Sequence, residues 1–350
     1  MGHTYVSHPV DDKGYVKWTD TENETWRTLV SRQKKLVQDV ACKEFLEGLD
    51  YLDFDEALPQ LPELNAKLEK CNGWGVEPVP AIIQPKEFFS LLARKRFPAA
   101  TFIRIPEHMD YLQEPDIFHE LYGHTPLLTN KPYCDFMQKF GELALKAEPK
   151  NRRRLFRLFW FTIEFGLINT ADGLKAYGGG ILSSPGETEY CLTEKSEKVE
   201  FDALTALRTP YRIDIMQPMY FVLEDFGQLF EILDQDVLGL VDKAKELGDF
   251  APKFLPKDVK KTDQVITDSS NDEDEEEGTT LSTDVFISFS PNDLILLSST
   301  ISKDSDTWTL DSGATDHCTI NLYDFYSYQE LPHAQQIKRH WERDCICRTE

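Results

Sequence analysis

Between Glu22 and Leu49 the apolar residues Trp26, Leu29, Val30, Leu36, Val37, Val40, Phe45 and Leu46 return every three or four positions. That period puts them on one face, so the stretch predicts one or two amphipathic helices, with Thr21 placed to cap the start. Pro59 and Pro62 break the pattern. A second helix through Leu64 and Leu68 follows and stops before CNGWG, where Gly73 and Gly75 signal a turn. Prolines hold VEPVPAIIQP extended up to a helix through Phe88, Phe89 and Leu92, and ATFIRI, residues 100–105, reads as a short strand. Asp135 to Ala147 and Arg152 to Ile168 predict two more helices, followed by the glycine-rich turn YGGGILSSPGE. Strand and helix signals continue from Phe201 to Lys257, including EDFGQLFEILDQDVLGLVDKAKEL. The fold class expected is mainly α with short β strands, an α+β domain spanning residues 1–260.

The pattern then changes. KKTDQVITDSSNDEDEEEGTT carries six acidic residues among the seven from Asn271 to Glu277 and almost nothing apolar. Such a composition buries too little surface to offset chain entropy, so residues 261–280 are expected to form a disordered acidic linker. Residues 281–350 differ in character from everything before them, and no internal repeat is visible.

Composition narrows the function. With 350 residues, 41% of them hydrophobic and 12% aromatic, the chain can fill a sizeable core. Its formal net charge of -23 repels phosphate backbones and anionic lipid, which argues against nucleic acid and membrane surfaces as partners. No apolar run approaches the length of a membrane span, and the first residues carry neither a signal core nor an Arg-rich transit pattern. The seven cysteines are odd in number, and Cys42, Cys71, Cys134 and Cys191 are too scattered for a disulfide framework, so a cytoplasmic setting is expected.

The chemistry concentrates in PDIFHELYGHTPLL, residues 115–128, where His119 and His124 are five apart. On an ideal helix residues five apart point about 140° away from each other, so both rings can face one ion only if the helix ends or distorts between them. Gly123 can supply that end by adopting a left-handed conformation. The spacing argues against the zinc-binding H-E-x-x-H motif, whose histidines share a helix face. A third ligand is offered by Glu164, the acidic side chain in the otherwise apolar stretch LFWFTIEFGL, because a buried carboxylate must be paired or bound to a metal. Two imidazoles and one carboxylate make a facial triad suited to non-haem iron(II).

PDIFHELYGH, FWFTIEFGL 45 residues on from His119 to Glu164, and KAYGGGILSSPGE closely resemble the pterin-dependent aromatic amino acid hydroxylases, in particular the compact bacterial-type phenylalanine 4-hydroxylases. WRTLVSRQ, EFLEGL, GWGVEPVPAIIQPKEFFSLLA, FPAATFIR and DYLQEPDIF stand in the family's order, so the likeness runs over roughly residues 15–257. The resemblance implies that iron is held by His119, His124 and Glu164. It implies that Arg104 pairs with the substrate carboxylate, that the substrate ring packs against Trp160, and that Phe165, Gly180 and Ser183 line the same pocket. Val79, Ile83 and Phe88 match contacts to the reduced pterin, with Glu120 the acid beside it. The implied reaction hydroxylates the ring of L-phenylalanine to L-tyrosine with iron(II), dioxygen and tetrahydrobiopterin or a related tetrahydropterin.

Leu112 and Gln113 stand where the animal enzymes have Thr and Pro, which matches the bacterial type. No regulatory domain or tetramer-forming helix of the family is recognised, so a monomer is expected. Trp160, where tryptophan hydroxylases usually carry Phe, and Val222, where tyrosine hydroxylases place Asp, both favour phenylalanine. A tryptophan or tyrosine hydroxylase and a pterin- or metal-binding protein without catalysis remain the alternatives. DTWTLDSGATDHCTINLYDFYSYQELPH looks like the start of a copia-type retroelement aspartic protease, with its Asp-Ser-Gly-Ala signature at Asp311 to Ala314. Only some 40 residues follow Asp311, too few for a complete lobe, so the tail is expected to be no functional domain and a protease fusion is the weakest reading. His317, Cys318, His333, His340, Cys345 and Cys347 match no common zinc spacing.

Overall fold

The computed structural model describes residues 5–54, 57–80, 83–110, 112, 114–254 and four short strands in the tail. The chain divides into two compact units, Met1–Leu255 and Pro256–Glu350. The first unit is mainly helical with short strands, as its periodicity predicts.

Helix α1 (Asp20–Leu36) starts at a capping box in which Thr19 accepts from the Glu22 amide and Glu22 reaches back to the Thr19 amide. The cap is therefore Thr19 rather than Thr21, since a residue already inside the first turn cannot satisfy the free amides ahead of it. The periodic stretch divides into α1 and α2 (Lys43–Leu52), with Val37 and Val40 in the connection between them. In α3 (Leu61–Asn72) Pro62 sits in the first turn, where its missing N–H costs nothing, and Gly73 closes the helix at φ 80°. The extended stretch after Gly73 forms β1 (Gly75–Val79), which runs into α4 (Pro85–Ala93). The strand expected at residues 100–105 is displaced: β2 is Arg96–Ala100, pairing in parallel with β1 in a two-stranded sheet. Two edge strands tolerate Pro78 and Pro98, and the residues after Ala100 leave the ladder to carry Arg104 inward.

After α5 (Lys131–Lys146) and α6 (Pro149–Phe159) the helix predicted through Ile168 stops early. A π turn covers Trp160–Glu164, and Leu167–Thr170 is already β3, antiparallel to β4 (Gly173–Ala176). The glycine-rich turn contains two short helices, α7 (Gly179–Leu182) and α8 (Pro185–Tyr190). Next come β5 (Glu197–Glu200), α9 (Ala203–Arg208), β6 (Met219–Leu223), α10 (Gln228–Asp234) and α11 (Val237–Leu247). The second sheet has the order β4-β3-β6-β5, and β6 is parallel to both neighbours.

A single buried cluster joins these elements, with Trp26 edge-on to Phe54 and Phe118, and Phe89 packed on Phe140 and Phe156. Packing of α4 on α5, and of α7 on the turn at residues 119–124, brings the sequence motifs to one place. Cys42, Cys71, Cys134 and Cys191 are unpaired. Among the described residues no helix is long and apolar enough to cross a membrane.

In the second unit β7 (Lys303–Asp304), β8 (Thr307–Trp308), β9 (Gln336–Lys338) and β10 (Asp344–Ile346) form one sheet. The linker at 261–280, the Asp311 to Ala314 signature, and His317, Cys318, His333, His340 and Cys347 lie outside the described residues.

Candidate metal centre

His119 and His124 occupy a π-helical turn, His119–His124, not the end of an α-helix. The wider turn, with its i to i+5 hydrogen bonds, is what lets residues five apart face the same way. Gly123 accordingly has no left-handed backbone; it is needed because a Cβ there would meet the Gly179 carbonyl oxygen at 2.7 Å. The third residue sits on the second π turn, where the Phe165 amide donates to the Trp160 carbonyl at 2.8 Å and Glu164 ends the turn.

These two turns bring three donor atoms together. His119 Nε2 lies 3.2 Å from His124 Nε2, His124 Nε2 lies 3.3 Å from Glu164 Oε1, and His119 Nε2 lies 3.6 Å from Glu164 Oε2. Such edges suit one face around a first-row ion with bonds of about 2.1 Å. The rings are held from behind. His124 stacks on Phe97 at 4.6 Å, and a Cβ on Gly179 would sit 2.4 Å from the His124 ring, so the glycine allows helix α7 to press against it. His119 Nδ1 lies 2.9 Å from Ser183 Oγ, which itself donates to the Gly179 carbonyl at 2.8 Å.

Electrostatics separate two nearby carboxylates. Burial raises the Glu164 carboxyl, but the His124 and His119 rings and a hydrogen bond from the Gly180 amide outweigh it and hold the group below the usual carboxylate range. Glu120 also offers an oxygen within 4.8 Å of donor atoms on both histidines. Burial, followed by the charges of Glu164 and Asp116, pushes Glu120 well above that range. Of the two, the opposite shifts favour Glu164 as the anionic group. Burial lowers the His119 ring to about 4, so at neutral pH it is uncharged and has a lone pair to give.

The other predicted residues take up definite places. Arg104 is buried, and its Nε and Nη2 donate to Asp116 at 2.8 and 2.9 Å, so one edge of its fork is occupied before any substrate arrives. Among the described residues no hydrogen bond engages Nη1. Asp116 also accepts from the amides of Arg104 and His119, tying the arginine to the start of the histidine turn. Trp160 lies 4.5 Å from Phe165 between ring centroids, and a Cβ on Gly180 would touch the Phe165 ring at 2.9 Å, so Trp160, Phe165 and Gly180 form one wall beside Glu164. Val79 ends β1, buried, beside Ala100. Phe88 is half-buried among Phe89, Phe156 and Phe159 in an aromatic seam between α4 and α6. Among the described residues no hydrogen bond, ion pair or ring contact joins Val79, Ile83 or Phe88 to the triad. Leu112 is half-buried, Gln113 lies outside the described residues, and Val222 is buried in β6.

The sequence pattern of the biopterin-dependent aromatic amino acid hydroxylases matches residues 7–240. The chain belongs to that family. Among other hydroxylases it is 50% identical over 254 residues to the phenylalanine-4-hydroxylase of Pseudomonas aeruginosa, covering 72% of this chain and 97% of that protein. The apo structure of the cold-active phenylalanine hydroxylase from Colwellia psychrerythraea superposes with a TM-score of 0.69 at 48% identity, over 71% of this chain and 97% of that one. The Chromobacterium violaceum phenylalanine hydroxylase with bound oxidised Fe(III) gives a TM-score of 0.66 at 40% identity, over 71% of this chain and 95% of the other. The α+β architecture is thus the catalytic-domain fold of this hydroxylase family.

Asp116 and Phe97, together with Tyr211 stacked on the Trp160 ring at 4.3 Å and Gln217 accepting from Trp160 Nε1 at 3.1 Å, support the site without having stood out in the sequence. Only Asp116 carried a signal, an acid three residues ahead of His119 where it can accept from a free turn amide.

Proposed function

We propose that the chain is a phenylalanine 4-monooxygenase that converts L-phenylalanine to L-tyrosine with iron(II), dioxygen and a tetrahydropterin. The observation that carries this reading is the convergence of His119 Nε2, His124 Nε2 and Glu164 within 3.6 Å of one another. Two imidazole nitrogens and a carboxylate oxygen gathered this closely are a donor set that one cation would share, so the residues present fit the iron. His119, His124 and Glu164 would hold it through two imidazole nitrogens and a carboxylate. Iron and tetrahydropterin together supply the activation of dioxygen.

The protein's part is placement. Asp116 fixes the Arg104 guanidinium from one side, so the remaining Nη1 edge takes up the carboxylate of the amino acid and sets which end of the substrate points inward. Trp160 and Phe165 give the aromatic ring an apolar wall from which water is excluded. Val79, Ile83 and Phe88 form the pterin side, with Glu120 beside it, its carboxyl raised by burial and by the charges of Glu164 and Asp116. Trp160 and Val222 support phenylalanine as the amino acid hydroxylated. Free cysteines support the cytoplasm as its place, and the few large exposed apolar residues support a monomer.

The test is to load the protein anaerobically with iron(II), then add air, phenylalanine and tetrahydrobiopterin. Tyrosine formed in step with pterin oxidation is expected. Pterin oxidation without tyrosine, or tryptophan as the best substrate by kcat/KM, overturns the reading.

A further inference from the structure

An indole N–H is a donor with nothing to accept in return, and when the ring is enclosed it needs an oxygen in a fixed place. Trp160 Nε1 finds it in Gln217 Oε1 at 3.1 Å, 57 residues further along the chain and outside every family motif quoted above. Gln217 is 2% exposed. Its amide can point only one way, because Nε2 donates to the carbonyls of Arg212 at 2.8 Å and Ile215 at 3.2 Å, which leaves the oxygen facing the indole. The backbone is anchored as well. The Gln217 amide donates to Glu187 Oε1 at 3.0 Å, and the other Glu187 oxygen accepts from the Tyr220 hydroxyl. Glu187 belongs to α8, directly after the segment that carries Ser183.

Packing leaves one freedom of Trp160 unsettled. Tyr211 stacks on the indole at 4.3 Å and Phe165 lies tilted against it at 4.5 Å, and a stacked contact resists tilting more than sliding in the ring plane. Gln217 also lines a cavity of about 250 Å³ together with Phe161, Pro210 and Met219, so the protein around it is not filled. A directional bond at the indole edge therefore decides where the edge lies.

We propose that Gln217 is a positioning residue that fixes the Trp160 indole in the substrate pocket and so sets the selectivity for phenylalanine over larger aromatic amino acids. The inference rests on the reading of Trp160 as the wall against which the substrate ring packs. Losing the bond lets the indole slide, which widens the pocket and loosens the hold on a bare phenyl ring.

The experiment measures kcat and KM for phenylalanine and tryptophan in the iron-loaded, full-length protein, its Gln217→Leu and Trp160→Phe variants, and the double variant. Gln217→Leu is expected to lower the phenylalanine-to-tryptophan ratio of kcat/KM by about fivefold to tenfold, mostly through the KM for phenylalanine, with iron content and the KM for pterin unchanged. In the Trp160→Phe background, where the donor is gone, the same substitution is expected to change that ratio no further. An equal effect in both backgrounds overturns the proposal, as does a fall in kcat and thermal stability with the ratio unmoved. Trp160→Phe leaving KM and ratio untouched overturns the pocket-wall reading itself, and the proposal with it. Gln217→Met, which keeps the side-chain length, takes the place of the leucine variant if that one does not fold.

Discussion

Ser183 Oγ stands 2.9 Å from Nδ1 of His119, and its single proton is already given to the Gly179 carbonyl at 2.8 Å. The hydroxyl can then only accept from the imidazole, so Nδ1 carries the hydrogen and Nε2 turns a lone pair toward His124 and Glu164. The serine acts on the metal through the tautomer it imposes. Ser183→Ala is expected to weaken iron(II) binding by about 10- to 100-fold while leaving the fold intact. An anaerobic iron titration against a competing chelator measures this; wild-type affinity in the variant would show that His119 needs no such partner.

Glu120 and Glu164 approach the same histidines, but their surroundings push them in opposite directions. Glu164→Gln replaces an anionic ligand by a neutral amide and is expected to abolish stoichiometric iron loading. Glu120→Gln keeps the size of the side chain but removes its titratable proton, and is expected to keep the iron, with a raised KM for tetrahydropterin as its main effect. Metal content after anaerobic loading and gel filtration distinguishes the two. A Glu120→Gln protein that loses its iron while Glu164→Gln retains it reverses the assignment.

What the chain reveals before folding follows from the range of the forces involved. The amphipathic period of α1, the Gly73 stop and the acidic composition after Lys257 are local properties, and each can be read in place. The distance from His119 to His124 is local too, and it signals that an ordinary α-helix does not suffice. What supplies the exception is not local. The π turns at His119–His124 and Trp160–Glu164 are held by α7 pressing on them, with Gly179 against the His124 ring and Gly180 against Phe165, and no neighbour in sequence announces that contact. Pairing across 57 residues hides Gln217 in the same way. The strand expected at 100–105 fails for a related reason. Its apolar residues are genuine, but the backbone bonds elsewhere: the Arg104 amide donates to Asp116, and the Thr101 and Phe102 carbonyls accept from the His8 and Ile117 amides, so no ladder forms there.

Asp249 fastens the end of α11 to α6. Arg157 donates to both of its oxygens at 2.8 and 2.7 Å and Arg154 to one at 2.8 Å, while both arginines also reach the Leu207 carbonyl. Burial raises the Asp249 carboxyl, but Arg157 and then Arg154 outweigh it and hold the group below the usual range. A carboxylate depressed in the folded state contributes stability that is fully present above its unfolded value of about 3.9 and is lost as pH falls through the lower folded value. Asp249→Asn is expected to cost about 2 kcal/mol at pH 7. The difference from the parent protein should close as the pH falls below about 3.9. Urea unfolding across that range measures both, and a penalty independent of pH would mean the carboxylate charge is not what holds the helix.

Deleting everything after about Thr262 is expected to leave hydroxylase activity and melting temperature nearly unchanged. The family match ends at residue 240, and the Pseudomonas aeruginosa relative is covered over 97% of its length without the tail. The contacts that close the hydroxylase unit are made earlier, by Asp249 with Arg154 and Arg157, by Phe250, whose ring lies 4.1 Å from the Arg208 guanidinium carbon and whose amide donates to the Arg208 carbonyl, by Lys253 with Glu197, and by Phe254, whose ring lies 5.9 Å from the Arg212 guanidinium carbon. Every residue assigned to the triad, the substrate wall and the pterin side precedes that closure. Coupling between two parts of a chain requires a packed element whose state both of them bias, and an acidic sequence with almost nothing apolar, such as residues 261–280, is poorly suited to form one. Turnover, thermal melting and molecular mass in solution are compared for the full-length and shortened proteins. A marked loss of activity on truncation, or a full-length oligomer that becomes monomeric, would make residues 281–350 a working part of the enzyme and place the domain boundary elsewhere.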